Sequence, residues 1–191
     1  VIINVRGGNA SGKSWVMRQA LARFPAGPPV MWTDGKKIEG YDLAAPAPTF
    51  LIGKYDEANT GGCDTFKDMD QVIEIVKRQH SAGKHVLFEG IRVHGAHQRW
   101  VDLGCSNFAP RTVYRFVILN TSIEQSQTNM LARRAAVNDP RPLSPATLDS
   151  IQDHYGRGLR QVRHFGDRGL WVKRMSAEDA VARIVEWVSA P

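Results

Sequence analysis

The chain has 191 residues, 42% of them hydrophobic and 23% charged, which suits the buried core of one domain and excludes a disordered chain. Only two cysteines are present, Cys63 and Cys105, so a disulfide-stapled scaffold is excluded, and no apolar run approaches the ~18 residues of a membrane span. The 25 Lys and Arg outnumber the 19 Asp and Glu, and the formal charge of +6 favours a phosphate-rich partner.

Residues 1–5 form an apolar, β-branched run that ends in Gly7-Gly8. A helix carrying Trp15, Met17, Ala20, Leu21 and Phe24 follows and is stopped by Pro25 and the Gly27-Pro28-Pro29 cluster. Residues 30–32 read as a second strand closed by Thr33-Asp34-Gly35, and the polar, Pro/Ala-rich stretch 36–48 reads as a surface excursion. Phe50-Leu51-Ile52 is a further apolar trio. From Thr65 to Ala82 the positions Met69, Val72, Ile73 and Val76 fall at helical spacing, with Gly83 as terminator. Residues 85–88 make a strand ending in Glu89-Gly90.

The alternation continues in the second half. Residues 113–119 are strand-like, and Thr121 with Glu124 forms a capping box for a helix through about Val137. Ser144-Pro145 places a hydroxyl cap and a first-turn proline at the start of a helix expected to bury Leu148, Ile151, Tyr155, Leu159 and Val162. Residues 170–173 form the last strand, and Ser176 with Asp179 caps the last helix. This pattern predicts one α/β domain over residues 1–191: a mostly parallel five-stranded sheet, helices on both faces, and a small helical lid at about 131–145.

Gly7-Gly8-Asn9-Ala10-Ser11-Gly12-Lys13-Ser14 fits G-x-x-x-x-G-K-[ST] at every defined position. Glycines let such a loop turn its backbone N–H groups toward phosphate oxygens, and the following helix adds the positive end of its dipole. Gly7, Asn9, Ala10, Ser11, Gly12, Lys13 and Ser14 are therefore candidates to bind a nucleoside triphosphate. Lys13 would reach the β- and γ-phosphates, and Ser14 would ligate Mg²⁺. A random sequence of this composition contains the pattern in roughly 0.6% of cases, and here it sits between a strand and a helix, where the chemistry needs it.

Glu89 ends an apolar strand at the edge where a parallel sheet binds ligands, so it could hold Mg²⁺ or assist an acceptor; a solvent-facing strand-end acid is the plainer alternative. Arg92 could clamp a phosphate. Asp34 closes the second strand at the same edge and could take a proton from an acceptor hydroxyl, although Asp-Gly is also a common turn pair. Lys54-Tyr55-Asp56 and Gly61-Gly62-Cys63-Asp64-Thr65 are candidates for substrate binding through Lys54, Tyr55 and Asp64; alternatively Thr65 and Asp68 form a capping box there. Residues 131–174 hold nine basic side chains and four acids. Arg133 and Arg134 are the candidates to meet charge on a transferring phosphoryl group. Arg157, Arg160, His164 and Arg168 could line a groove for a nucleic-acid backbone or form a solvated face.

Together the phosphate-binding loop, the acid-terminated strand and the arginine-bearing helix resemble the nucleoside and nucleotide kinase group of P-loop proteins. Gly53-Lys54-Tyr55, Gly61-Gly62-Cys63-Asp64-Thr65 and Val86-Leu87-Phe88-Glu89-Gly90 are similar to segments of small bacteriophage P-loop kinases, among them the 5-hydroxymethyluracil DNA kinases. The resemblance covers about a third of the chain. It implies ATP-dependent phosphorylation of a base hydroxymethyl group within DNA, a step of phage DNA hypermodification, with ATP and Mg²⁺ as cofactors. It also implies DNA as partner, no membrane association, and the cytoplasm of an infected bacterium as location. Glu89-Gly90-Ile91-Arg92 stands where thymidylate kinases carry an Asp-Arg pair, which weakens a monophosphate acceptor. A kinase of free nucleosides or nucleotides, and a non-kinase ATP-dependent nucleic-acid-binding protein, are the alternatives.

Overall fold

The structure is a computed structural model that describes residues 1–32, 35, 37–55 and 61–190. Its strands are β1 (Ile2–Arg6), β2 (Ala26–Met31), β3 (Ile38–Leu43), β4 (Thr49–Ile52), β5 (His85–Glu89), β6 (Tyr114–Leu119) and β7 (Val172–Met175). The helices are α1 (Lys13–Arg23), α2 (Met69–Ser81), α3 (Ile91–Gly95), α4 (His97–Cys105), α5 (Ile123–Ala136), α6 (Pro145–Asp167) and α7 (Ala177–Ser189). None of these helices is long and apolar enough to cross a membrane.

The strands form one mixed sheet in the order β2-β3-β4-β5-β1-β6-β7. Neighbours from β4 to β7 pair in parallel, whereas β3 pairs antiparallel with both β2 and β4. The sheet is thus seven-stranded where five strands were expected: β2 extends the strand read at 30–32, and the two added strands are β3, which runs opposite to all the others, and β4, over the Phe50-Leu51-Ile52 trio. One of these, β3, lies within the stretch read as a surface excursion. Its polarity hid it: Glu39 is buried there because Arg78 of α2 pairs with it and Gln79 Nε2 donates to it at 3.0 Å. β2 begins earlier than the strand read at 30–32 and contains the Pro28-Pro29 pair, which is tolerated because β2 is an edge strand.

Alternation along β1 separates the two faces of the sheet. Ile3 and Val5 pack with Val16, Met17 and Ala20 of α1 and with Ala180, Ile184 and Val188 of α7. Ile2 joins Phe88 and Phe116 against Val72 and Val76 of α2, Trp100 of α4 and Phe165 of α6. Cover on both faces explains why the central parallel strands are almost wholly apolar.

Several local expectations are corrected. Ser122, not Thr121, caps α5 by accepting from Gln125 N at 3.1 Å. Asp68 caps α2, and Thr65 instead belongs to a short 3₁₀ turn over Cys63–Thr65. Trp15 is 44% exposed and lies off the core face of α1. The buried stripe of α6 is Ile151, Gly158, Gln161 and Phe165; Leu148 and Leu159 are exposed, and Tyr155 and Val162 are half-buried. Helices α3 and α4 occupy a stretch for which the sequence pattern marked no element.

A buried polar knot ties β1 to α3 and α6. Arg6, fully buried, donates through Nε to Gln161 Oε1 at 2.9 Å and through Nη2 to the His94 carbonyl at 2.8 Å. Gln161 Nε2 donates to the same carbonyl at 2.8 Å, and the guanidinium lies 5.2 Å from the Phe165 ring centroid. Among the described residues no acid pairs with Arg6, and burial pulls its pKa down to about 9. Burial, reinforced by the Arg6 charge, holds the His94 imidazole at a pKa of about 2, so it stays neutral when the chain is folded.

That shift makes stability depend on acid. Below the unfolded value of 6.5 the unfolded chain takes up a proton that folded His94 refuses, so stability is lost as pH falls. Between pH 6.5 and 5 this single group is expected to remove about 2 kcal/mol. Urea denaturation of the wild type and of His94→Gln across that range checks it: the variant should show a shallower pH slope by that amount.

Candidate active site

The turn from β1 into α1 is built from backbone. Gly12 precedes α1 at φ +97°, a conformation that side chains disfavour, and supplies no side-chain cap, so the first-turn N–H groups are available to an anion. Inside the loop, Ser11 Oγ and Lys13 Nζ both donate to the Gly8 carbonyl, at 2.9 and 2.8 Å. Outside it, Thr121 Oγ1 donates to the Ser11 carbonyl at 2.7 Å, and Asn129 Nδ2 to the Ala10 carbonyl at 2.9 Å. Gly7, Asn9 and Ser11 line its inner mouth, beside Tyr155 of α6. Neither Thr121 nor Asn129 was singled out as a loop partner from sequence, because their contacts span more than a hundred residues.

Beside the loop, β5 delivers Glu89. The parallel register sets Val5 of β1 opposite Glu89, which places its carboxylate next to the start of α1. Glu89 is 2% exposed. Its Oε1 accepts from Ser14 Oγ at 3.0 Å and from the Tyr55 hydroxyl at 3.4 Å. Burial raises its pKa, opposed chiefly by the Lys13 ammonium and the Ser14 hydroxyl. Burial lowers the pKa of Lys13 in turn, and the charges of Glu89 and Asp64 oppose that shift. The Tyr55 hydroxyl and the Cys63 thiol are both pushed well up, by burial first and by Glu89 next, so both stay protonated. Gly62 closes the far wall at φ +47°, where a Cβ would fall 2.4 Å from Glu89 Oε1.

Asp64 and Arg92 are brought to the same corner, engaged with each other's segments. Asp64 Oδ2 accepts from Ile91 N and Oδ1 from Arg92 N, both at 2.9 Å, capping α3 from a distant part of the chain. Arg92 Nη1 returns to the Phe66 carbonyl at 2.8 Å. Lys54 forms a bridge pair with Gly62 at the margin of the Glu89 pocket. Asp34 lies outside the described residues.

On the opposite side of β1, a cleft of about 500 Å³ opens between the loop (Ala10, Gly12), α5 (Asn129, Arg133) and the start of α7 (Glu178), with Trp15 on its wall. Its volume suits a nucleoside-sized ligand. Arg133 lines this cleft, whereas Arg134 Nη1 donates to the carbonyls of Arg141 and Pro142 at 2.8 and 2.6 Å and braces the α5–α6 turn. Ser14 Oγ and the Glu89 carboxylate are the oxygen donors that meet at the loop, and among the described residues no group of three or more His, Cys, Asp or Glu could hold a metal. A hydroxyl and one carboxylate fit Mg²⁺, which keeps waters and phosphate oxygens as its other ligands, and do not fit a closed zinc site.

An α/β chain in which one lysine-bearing loop stands between a ligand-sized cleft and a buried carboxylate fits a group-transfer enzyme. The chain is 36% identical over 143 residues to a 5-hmdU DNA kinase of Pseudomonas phage PaMx11, covering 74% of this chain and 73% of that protein. It is 32% identical over 94 residues to a 5-hmdU DNA kinase of Bacillus phage SP10, covering 48% of this chain and 14% of that much longer protein. No family model matches the chain, and no solved structure matches it. The chain is a phosphotransferase, and it belongs to the 5-hmdU DNA kinase family.

The tight wall behind Glu89 is directly testable. Gly62→Ala would place a methyl group against the carboxylate in a left-handed backbone, and is expected to destabilise the fold by about 2–3 kcal/mol. An unchanged urea midpoint would contradict that contact.

Proposed function

We propose that the chain transfers the γ-phosphoryl group of ATP to the hydroxymethyl oxygen of 5-hydroxymethyluracil within DNA. The observation that carries this reading is the convergence of Lys13, Ser14 and buried Glu89 at one point of the sheet edge. Family membership supplies the acceptor. In the reaction the hydroxymethyl oxygen forms a bond to the γ-phosphorus, the bond to the β–γ bridging oxygen breaks, ADP leaves, and the hydroxyl proton passes to a base.

Each residue has a role in this scheme. The Gly7–Ser14 backbone cradles the phosphates, and Asn9, Ala10, Ser11 and Gly12 shape it. Lys13 neutralises charge on the β- and γ-phosphates, exchanging its hydrogen bond to the Gly8 carbonyl for phosphate oxygens. Ser14 and Glu89 hold Mg²⁺, which when bound screens phosphate charge and polarises the γ-phosphoryl group. Tyr55 keeps Glu89 in place from behind. Asp64 and Arg92 lock α3 against residues 62–67, and Lys54 lies at the acceptor margin. Asp34 is assigned the acceptor proton on its place in the sequence. The α5–α6 turn at 131–145 acts as a lid of the single domain, with Arg133 facing the donor and Arg134 stiffening the turn.

A base bound in DNA must leave the stack before its hydroxymethyl group can line up with the γ-phosphate. The nucleoside half of ATP is assigned to the Trp15 cleft, where the exposed indole offers a stacking surface.

The test is incubation with γ-labelled ATP, Mg²⁺ and three acceptors: hydroxymethyluracil-containing DNA, the free nucleoside, and its monophosphate. Label is expected in DNA; label confined to the small acceptors would replace this function with that of a nucleotide kinase. Glu89→Gln is expected to lower transfer at least ~100-fold and to raise the Mg²⁺ concentration required. Trp15→Ala is expected to raise the KM for ATP about 10-fold with kcat nearly unchanged, as loss of one stacking contact predicts. An equal fall in kcat would place Trp15 outside the donor cleft.

A further inference from the structure

The second half of α6 carries charge that phosphoryl transfer itself does not use. Between residues 154 and 166 the helix holds three arginines and no acid. Arg157, Arg160, Gln161 and His164 recur at helical spacing and face Gly95 and His97, where α3 passes into α4, across a groove of about 460 Å³. One carboxylate serves two guanidiniums there: Asp153 Oδ2 accepts from Arg157 Nη2 at 2.7 Å, and Asp153 Oδ1 lies 3.7 Å from Arg160 Nη2. The groove is therefore left with net positive charge.

Its walls are shaped for a chain-like ligand. Gly95 has no side chain where Arg157 Nη1 would lie 3.4 Å from a Cβ, so the guanidinium rests along the backbone. The His97 and His164 rings meet edge to face at 5.6 Å between centroids. His97 Nδ1 and His164 Nε2 are buried without a hydrogen-bond partner among the described residues.

The position of the groove indicates what it serves. His154, one turn before Arg157, packs against the loop: a Cβ on Gly8 would fall 2.9 Å from His154 Cβ. The groove thus begins about 5 Å along α6 from the loop. It opens between α6, which packs on β6 and β7, and the α3–α4 junction, which follows Glu89 of β5, whereas the Trp15 cleft opens between the loop, α5 and the start of α7. Donor and groove share no lining residue. A free nucleoside offers no charge to such a track; the phosphodiesters flanking a target base do.

We propose that this groove, through Arg157 and Arg160, holds the DNA backbone next to the base being phosphorylated. The assignment rests on the DNA-kinase reading above and adds the surface that selects polymer over free nucleoside.

Binding of a fluorescein-labelled oligonucleotide containing one hydroxymethyluracil, followed by anisotropy over a range of salt, tests it. The variants are Arg157→Gln with Arg160→Gln, and the charge-keeping Arg157→Lys with Arg160→Lys. Loss of two phosphate contacts should weaken DNA binding about 10-fold and reduce the log–log salt slope by about 1.5. The lysine pair should keep the slope. The KM for DNA should rise in the glutamine pair, with the KM for ATP unchanged. A wild-type salt slope below about 1, or wild-type slope and affinity in a folded glutamine pair, overturns the groove assignment even if DNA is labelled. A slope that depends on both arginines while no label reaches DNA upholds the groove and overturns the kinase reading. If the glutamine pair melts early, Arg160→Gln alone decides it, since that side chain is 70% exposed: the salt slope should fall by about 0.8, and a wild-type slope and affinity in this variant overturn the assignment.

Discussion

A carboxylate removed from water at the end of β5 is the interaction around which the site is organised. Burial works against the charge on Glu89, and the Lys13 ammonium nearby and two hydroxyls, Ser14 and Tyr55, that donate to it work in its favour. Lys13 and Ser14 open α1 and Tyr55 follows β4, so the start of α1, the segment after β4 and the end of β5 are obliged to meet. Gly62 follows from the same constraint, since any side chain there would occupy the place of the carboxylate. In the proposed function Lys13 and Ser14 are also the groups that a bound nucleotide and metal would engage, while Tyr55 stays on the carboxylate.

The Arg6 knot plays the complementary part on the other side of the sheet. Its guanidinium lies one residue before the loop and bonds to α3 and α6 at once. A buried cation without an acid is an expensive way to join three elements. It does fix where α6 crosses the sheet edge, and so where His154 touches the loop and where the basic groove begins. Loop, acceptor corner and groove are therefore aligned by one buried side chain that takes no part in the chemistry.

Legibility in the sequence followed the range of the interactions. The Gly7–Ser14 turn between β1 and α1 was readable because its pattern lies in consecutive residues, and the caps at Ser144 and Ser176 were readable because they act within one turn. Asp64 was read as a candidate ligand, yet both its oxygens cap α3, 27 and 28 residues away in the chain. Arg134 was paired with Arg133 because the two are adjacent, but neighbouring residues on a helix point about 100° apart, and only Arg133 faces the cleft. The Leu148 and Leu159 assignment failed because α6 buries a glycine and a glutamine instead, and hydrophobic periodicity cannot register either.

By itself the sequence determined an α/β chain with a phosphate-binding loop, an acid at a strand end and an excess of basic side chains toward the second half, because each of these is encoded locally. Tertiary structure alone decided which strands enlarge the sheet, that Tyr55 and Gly62 enclose Glu89, and that the Trp15 cleft and the α6 groove share no residue. The physical reason is the same in every case. Hydrogen bonds, ion pairs and close backbone approaches between residues far apart in the chain depend on strand order and helix crossing, and no local pattern records them.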